Sequence, residues 1–198
     1  KVRGDIFYAV PSGNYGNLVA GLYAWKFSLP VNGFITDATP SLFCDIAGRC
    51  SCLDSGVPLG KRGPTDPAAP SNIERLEQVF AVNSLMLSGL VFPSEVRKES
   101  VPDTIRETWK RYGVMLDTAA ATALGAVSAF SDRVNSDEGT VVLVSKDHPA
   151  FEREKLAAIC GEAPAIPEFM KSAKNPVSGA RLIPTDREAL ISILRDFS

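Results

Sequence analysis

The stretch Val10-Pro11-Ser12-Gly13-Asn14-Tyr15-Gly16-Asn17-Leu18-Val19-Ala20 decides how this chain is read. Ahead of it, Asp5-Ile6-Phe7-Tyr8-Ala9-Val10 is a run of apolar, aromatic and β-branched residues ending at a proline, the pattern of a buried strand. Behind it, Leu18, Leu22 and Trp25 recur at helical spacing and Gly21 is the only weak helix former, so a helix follows. Strand, glycine-bearing loop and helix is an arrangement that cradles a phosphate. Gly13 and Gly16 let the backbone come close to a ligand, and the uncapped N–H groups of the helix start point into the same space. An anion there gains hydrogen bonds and the positive end of the helix dipole, together up to about 2 kcal/mol when partly buried. On spacing alone a purely structural turn fits equally well, because asparagine and glycine also adopt left-handed backbone angles there. The loop is neither Gly-x-x-x-x-Gly-Lys-Ser/Thr nor Gly-x-Gly-x-x-Gly, so the usual nucleotide loops are not indicated.

Outward from the loop, Val31-Asn32-Gly33-Phe34-Ile35-Thr36 reads as a second strand. Strand, helix and strand within about 35 residues make a parallel βαβ unit. Ligands of such sheets bind beyond the carboxyl ends of the strands, which is where Ser12 to Asn17 fall. The fold class expected is therefore α/β, an open and mostly parallel sheet with helices on both faces, in a single domain over residues 1–198.

The bulk properties fit an ordinary globular domain. The chain has 198 residues, 45% hydrophobic and 22% charged, with a net charge of −2, which gives no electrostatic reason to expect nucleic acid or an anionic membrane as a partner. No apolar run approaches the ~18 residues of a spanning helix. The chain starts at Lys1 with no leader pattern, as a fragment of a longer enzyme would. Cys44, Cys50, Cys52 and Cys160 match no metal-binding spacing and only one histidine is available, so no metal is expected. Unbonded thiols and a cytoplasmic location are the expectation.

Residues 37–70 lose periodicity and are broken by glycines and prolines, which predicts an irregular loop, either disordered or shaped by a ligand. Ser71 followed by Glu74 has the form of a capping box ahead of a helix carrying Ile73, Leu76, Val79 and Phe80. A buried helix over 82–90, a further helix introduced by Pro93-Ser94, and another from Pro102 to a glycine cap at Gly113 follow. Val114-Met115-Leu116 reads as a short strand and 123–130 as a small-residue helix. Gly139 to Ser145 is a clear strand, and an amphipathic helix over 186–197 closes the chain, with Leu190, Ile193 and Leu194 on its packed side.

The glycine-asparagine loop with Leu-Val-Ala-Gly-Leu-Tyr-Ala behind it resembles the phosphate-binding loop and following helix of threonine synthases, pyridoxal-phosphate enzymes of the tryptophan synthase β-like fold. Ala69-Pro70-Ser71-Asn72-Ile73-Glu74-Arg75-Leu76 is similar to their Pro-Ser-Asn-x-Glu-Arg motif. Asp147-His148-Pro149-Ala150-Phe151 is similar to their His-Pro-Ala-Lys-Phe segment. Asp117-Thr118-Ala119-Ala120-Ala121-Thr122 resembles their Asp-Pro-His-Thr-Ala segment with departures, since Ala120 stands where the family has a threonine that meets the pyridine nitrogen.

The resemblance, running from Tyr8 to Phe151, implies the carboxyl-terminal portion of an enzyme converting O-phosphohomoserine and water to threonine and phosphate. It implies pyridoxal 5'-phosphate as cofactor, its phosphate held by Ser12, Gly13, Asn14, Tyr15, Gly16 and Asn17. Thr118 or Thr122 is the candidate for the missing hydroxyl, with N-capping or a turn as the alternative use of both. Asn72 and Arg75 become candidates for the phosphorylated substrate, since a guanidinium binds phosphate oxygens in pairs. His148 is a candidate acid or base, or an ordinary turn residue before Pro149. The Schiff-base lysine of the family precedes the loop, so no catalytic residue is assigned here and the fragment alone is expected to be inactive, completed by the missing amino-terminal part of the same chain. A related phospho-lyase and a non-catalytic phosphate-binding module are the competing expectations.

Overall fold

A computed structural model describes residues 4–45, 50–52, 58–63, 66, 70–80, 84–128, 130–131, 134, 139–173 and 187–196. Residues up to Pro164 form one compact unit and Ala165–Ser198 a second. In the first unit, β1 (Ile6–Ala9), β2 (Gly33–Asp37), β5 (Val91–Ser94) and β6 (Thr140–Leu143) form a four-stranded sheet in the order β5-β2-β1-β6, and every pairing is parallel. A second, antiparallel pair, β3 (Leu42–Cys44) and β4 (Cys50–Cys52), lies within the stretch predicted to be irregular.

Parallel strands are joined by helical crossovers, and these cover the sheet on both faces. On one face α1 (Gly16–Lys26), α2 (Ile73–Val79) and α3 (Ser84–Leu90) bury Leu18, Leu22, Ile73, Leu76 and Leu87 with Phe34 and Val91 of the strands. Toward the other, α4 (Val101–Tyr112), α5 (Thr118–Ser128) and the helix Arg153–Cys160 bring together Val101, Ile105, Ala120, Ala121 and Leu156, while Ala126 packs with Phe7, Ile35 and Phe92 of the sheet. The alanines of α5 let it lie close to the sheet. Fully burying a Leu or Phe side chain is worth about 1.5–3 kcal/mol, so these clusters hold the sheet to its helices.

Several expectations are corrected. Pro93 and Ser94 continue β5 rather than starting a helix. β5 is an edge strand among the described residues, a position where a residue without an N–H is tolerated. Val114 to Leu116 is not a strand; Val114 is half exposed, and the segment turns from the Gly113 cap of α4, at φ +66°, into α5. The cap of α2 is Asn72, not Ser71, and Glu74 pairs with Arg62 at 2.6 Å instead of closing a capping box. Cys44 and Cys50 face each other across the β3–β4 pair and are joined by a disulfide, against the expectation of unbonded thiols. Cross-strand proximity, absent from the sequence spacing, supplies the pairing.

In the second unit, the closing helix spans Arg187–Asp196, and Leu194 is 60% exposed rather than packed. The side chains of Leu190 and Ile193 lie outside the described residues. Among the described residues no helix is long and apolar enough to cross a membrane.

Candidate functional site

From β1 the sheet grows outward to β2 on one side and to β6 on the other, so the strand order reverses at β1/β6. In open α/β sheets the crevice beyond the strand carboxyl ends at such a switch point is the usual ligand position. Residues 10–15 leave β1 at this place. Ser12 to Tyr15 close a tight turn, with the Tyr15 N–H donating to the Ser12 carbonyl at 2.7 Å and Gly13 at φ +44°. Tyr15 itself is left-handed, φ 63°, and caps the start of α1.

The donors of the loop divide into two groups. Three are used internally: Ser12 N–H on Asp37 Oδ1 at 2.9 Å, Tyr15 N–H on Ser12, and Gly16 N–H on Asn14 Oδ1 at 3.1 Å. The amides of Gly13, Asn14, Asn17 and Leu18 make no hydrogen bond among the described residues. Successive backbone N–H groups next to a left-handed residue form a concavity suited to an oxyanion, and the first turn of α1 adds its dipole.

Side chains hold this loop from three directions. The Asp37 carboxylate, at the end of β2, also accepts the Ser12 hydroxyl proton at 2.6 Å. The Tyr15 ring is fully buried and its hydroxyl pairs with Thr39; burial pushes the phenol up to about 12, against the opposing effect of its hydroxyl partners. From the segment before α2, Asn72 Nδ2 donates to the Asn14 carbonyl at 2.9 Å, while the Asn14 side-chain Nδ2 donates to Ser71 Oγ at 3.5 Å. Arg75 Nη1 in turn donates to Asn72 Oδ1. Asn72 therefore meets the loop with one end of its amide and Arg75 with the other, and Arg75 reaches the loop only through it.

Thr118 and Thr122 lie elsewhere in the crevice. They line a cavity of about 440 Å³ whose wall also includes Asp37, Lys98, Lys155 and Ile105, so that Asp37 belongs to both the loop's support and the cavity. The Thr118 hydroxyl donates to Glu152 Oε2 at 2.7 Å and accepts from Lys155 Nζ at 2.7 Å, and the Thr122 hydroxyl donates to the Thr118 carbonyl at 2.8 Å, the back-bonding common for threonine in helices. Asp117, almost fully buried, caps α5 through Ala120 N–H at 2.9 Å and receives Ser145 Oγ at 3.1 Å. His148 accepts the Ala150 N–H on Nδ1 at 3.1 Å and so caps the short turn Pro149–Glu152.

Asp37, Ser71, Lys98 and Lys155 support the loop or line the cavity and are not among the candidates that sequence reading named. Ser71 stands in the Pro-Ser-Asn-x-Glu-Arg resemblance but reads there as a cap, and the position of Asp37 at the carboxyl end of a strand is the other available signal.

No family model matches the chain. Over 200 residues it is 32% identical to the threonine synthase of Escherichia coli (strain K12), a match covering 98% of this chain and 44% of that protein. The chain is a threonine synthase homologue. The crystal structure of the E. coli threonine synthase superposes with a TM-score of 0.63 at 28% identity, over 99% of this homologue and 45% of that chain. A structure titled as PLP-bound threonine synthase from Brucella melitensis shares the fold, with a TM-score of 0.56 at 16% identity over 84% of this homologue and 40% of that chain. This threonine synthase homologue thus spans less than half the length of the proteins it matches.

Proposed function

We propose that this chain supplies the phosphate-holding half of a pyridoxal-phosphate site, in a protein that as a whole converts O-phosphohomoserine and water to threonine and phosphate. The observation that carries the reading is the set of four unbonded amides, of Gly13, Asn14, Asn17 and Leu18, at a switch point of a parallel sheet. A phosphate dianion matches such donors, since hydrogen bonds to charged groups are worth about 1.5–3 kcal/mol each.

Pyridoxal phosphate, when bound, supplies an electron sink for a carbanion. The chain's own contribution is to bind and orient. Gly13, Asn14, Asn17 and Leu18 give backbone donors; Ser12, Tyr15 and Gly16 shape the turn that aims them. Thr118 and Thr122 line the adjoining cavity, and their hydroxyl protons are committed to Glu152 and to the backbone, so both serve the wall of the pocket. Arg75 is an exposed residue whose guanidinium bonds Asn72, and that guanidinium is the group proposed for the substrate's phosphate.

No lysine of these 198 residues stands in a motif that matches the family's cofactor-bearing lysine, so the chain alone binds without turning over. The test compares pyridoxal phosphate with pyridoxal by equilibrium dialysis against the 198-residue chain, followed by borohydride reduction. Retention of the phosphorylated form only, with no lysine labelled stoichiometrically, is expected. Equal binding of both compounds overturns the phosphate reading, and one fully labelled lysine overturns the inactivity.

A further inference from the structure

The segment before α2 lies 58 residues from the loop in sequence, yet it bonds the loop at Asn14: Ser71 Oγ accepts the side-chain Nδ2 at 3.5 Å, and Asn72 reaches one backbone peptide. That peptide, Asn14–Tyr15, is held at both ends: its N–H donates to Ser12 at 2.7 Å and its carbonyl accepts Asn72 Nδ2 at 2.9 Å. An amide side chain has one donor end and one acceptor end. Asn72 can face a carbonyl with the first and a guanidinium with the second in a single orientation only, so Arg75 fixes which end meets the loop. The side chain is 9% exposed and each end already has a partner, which leaves little of it for a substrate.

We infer that Asn72 is a positioning residue of the loop: it clamps the Asn14–Tyr15 peptide, and thereby keeps the unbonded amides of Gly13 and Asn14 in one arrangement. The geometry stands by itself; the consequence for ligand binding rests on the phosphate reading above. Removing Asn72 Nδ2 frees the carbonyl to turn, and a carbonyl oxygen turned toward an anion repels it.

Two variants of the 198-residue chain test this, Asn72→Ala and Asn72→Asp. The aspartate retains an acceptor for Arg75 but has no donor for Asn14, so a role exercised only through Arg75 leaves Asn72→Asp like the parent. The first measurement uses no ligand: residue-resolved hydrogen exchange of the Tyr15 amide, which accelerates about 10-fold in both variants if one clamping hydrogen bond is lost, while the Val19 amide inside α1 is unchanged. The second is 31P titration with inorganic phosphate, in which both variants bind about 3- to 10-fold more weakly than the parent. Unchanged Tyr15 exchange in both variants overturns the clamp. Accelerated exchange with no phosphate binding by the parent sustains the clamp and overturns the phosphate reading instead.

Discussion

Asp37 and Ser12 are joined by two hydrogen bonds, one from the serine N–H at 2.9 Å and one from its hydroxyl at 2.6 Å, both onto the same carboxylate. The contact ties the end of β2 to the first residue of the turn. It also leaves the Ser12 hydroxyl without a proton for any other acceptor. In Asp37→Ala both donors lose their partner, and hydrogen bonds to a charged group are worth about 1.5–3 kcal/mol. Urea denaturation of Asp37→Ala is expected to show a loss in that range, and a midpoint equal to the parent's contradicts the assignment.

The surroundings of two helical glycines, Gly21 in α1 and Gly89 in α3, predict opposite signs for one substitution. A Cβ on Gly21 meets the Phe34 ring at 2.5 Å, and Phe34 is buried within the core cluster. Alanine ordinarily stabilises a helix interior by about 1 kcal/mol over glycine. At Gly21 overpacking outweighs that gain and Gly21→Ala is expected to cost about 1–3 kcal/mol. At Gly89, in α3, nothing lies within 4 Å of the added atom, so Gly89→Ala is expected to stabilise by about 0.5–1 kcal/mol. Denaturation midpoints that move in the same direction contradict the packing.

Tyr15 predicts an alkaline limit. Its phenol is raised to about 12 by burial, so the folded chain favours the neutral form more than the unfolded chain, where the value is near 10. The contribution is complete below pH 10 and is lost as pH rises through 12. Thermal midpoints are expected to fall across this window, with a smaller fall in Tyr15→Phe. Parallel profiles for the two proteins count against a buried, neutral Tyr15.

The Cys44–Cys50 link predicts a thiol count that depends on reduction. Alkylation of the denatured chain is expected to gain two modified cysteines, Cys44 and Cys50, once the chain has been reduced beforehand. An equal count with and without reduction contradicts the bond.

What was legible in the sequence follows from how local each signal is. β1, α1 and β2 are written in periodicities that a few neighbouring residues decide, and the glycines of the first turn mark where strand gives way to helix. Pro93 was misleading because its tolerance depends on β5 being an edge strand, a property of the whole sheet. Ser71 and Glu74 have the spacing of a cap, yet Asn72 takes the cap position while Ser71 Oγ accepts from Asn14, a contact 57 residues away that spacing does not encode. The same holds for Asp37, whose role depends on β1 and β2 being neighbours, and for the disulfide, which depends on a strand pair inside a stretch with no periodicity.

The amides between β1 and the first turn of α1 are the donors proposed to hold a phosphate. Amide-resolved NMR of the 198-residue chain, titrated with pyridoxal phosphate and separately with inorganic phosphate, tests this proposal most directly. Saturable shifts common to both ligands at Gly13, Asn14, Asn17 and Leu18 are predicted. Shifts confined to other residues, or none at these four at saturating ligand, contradict it.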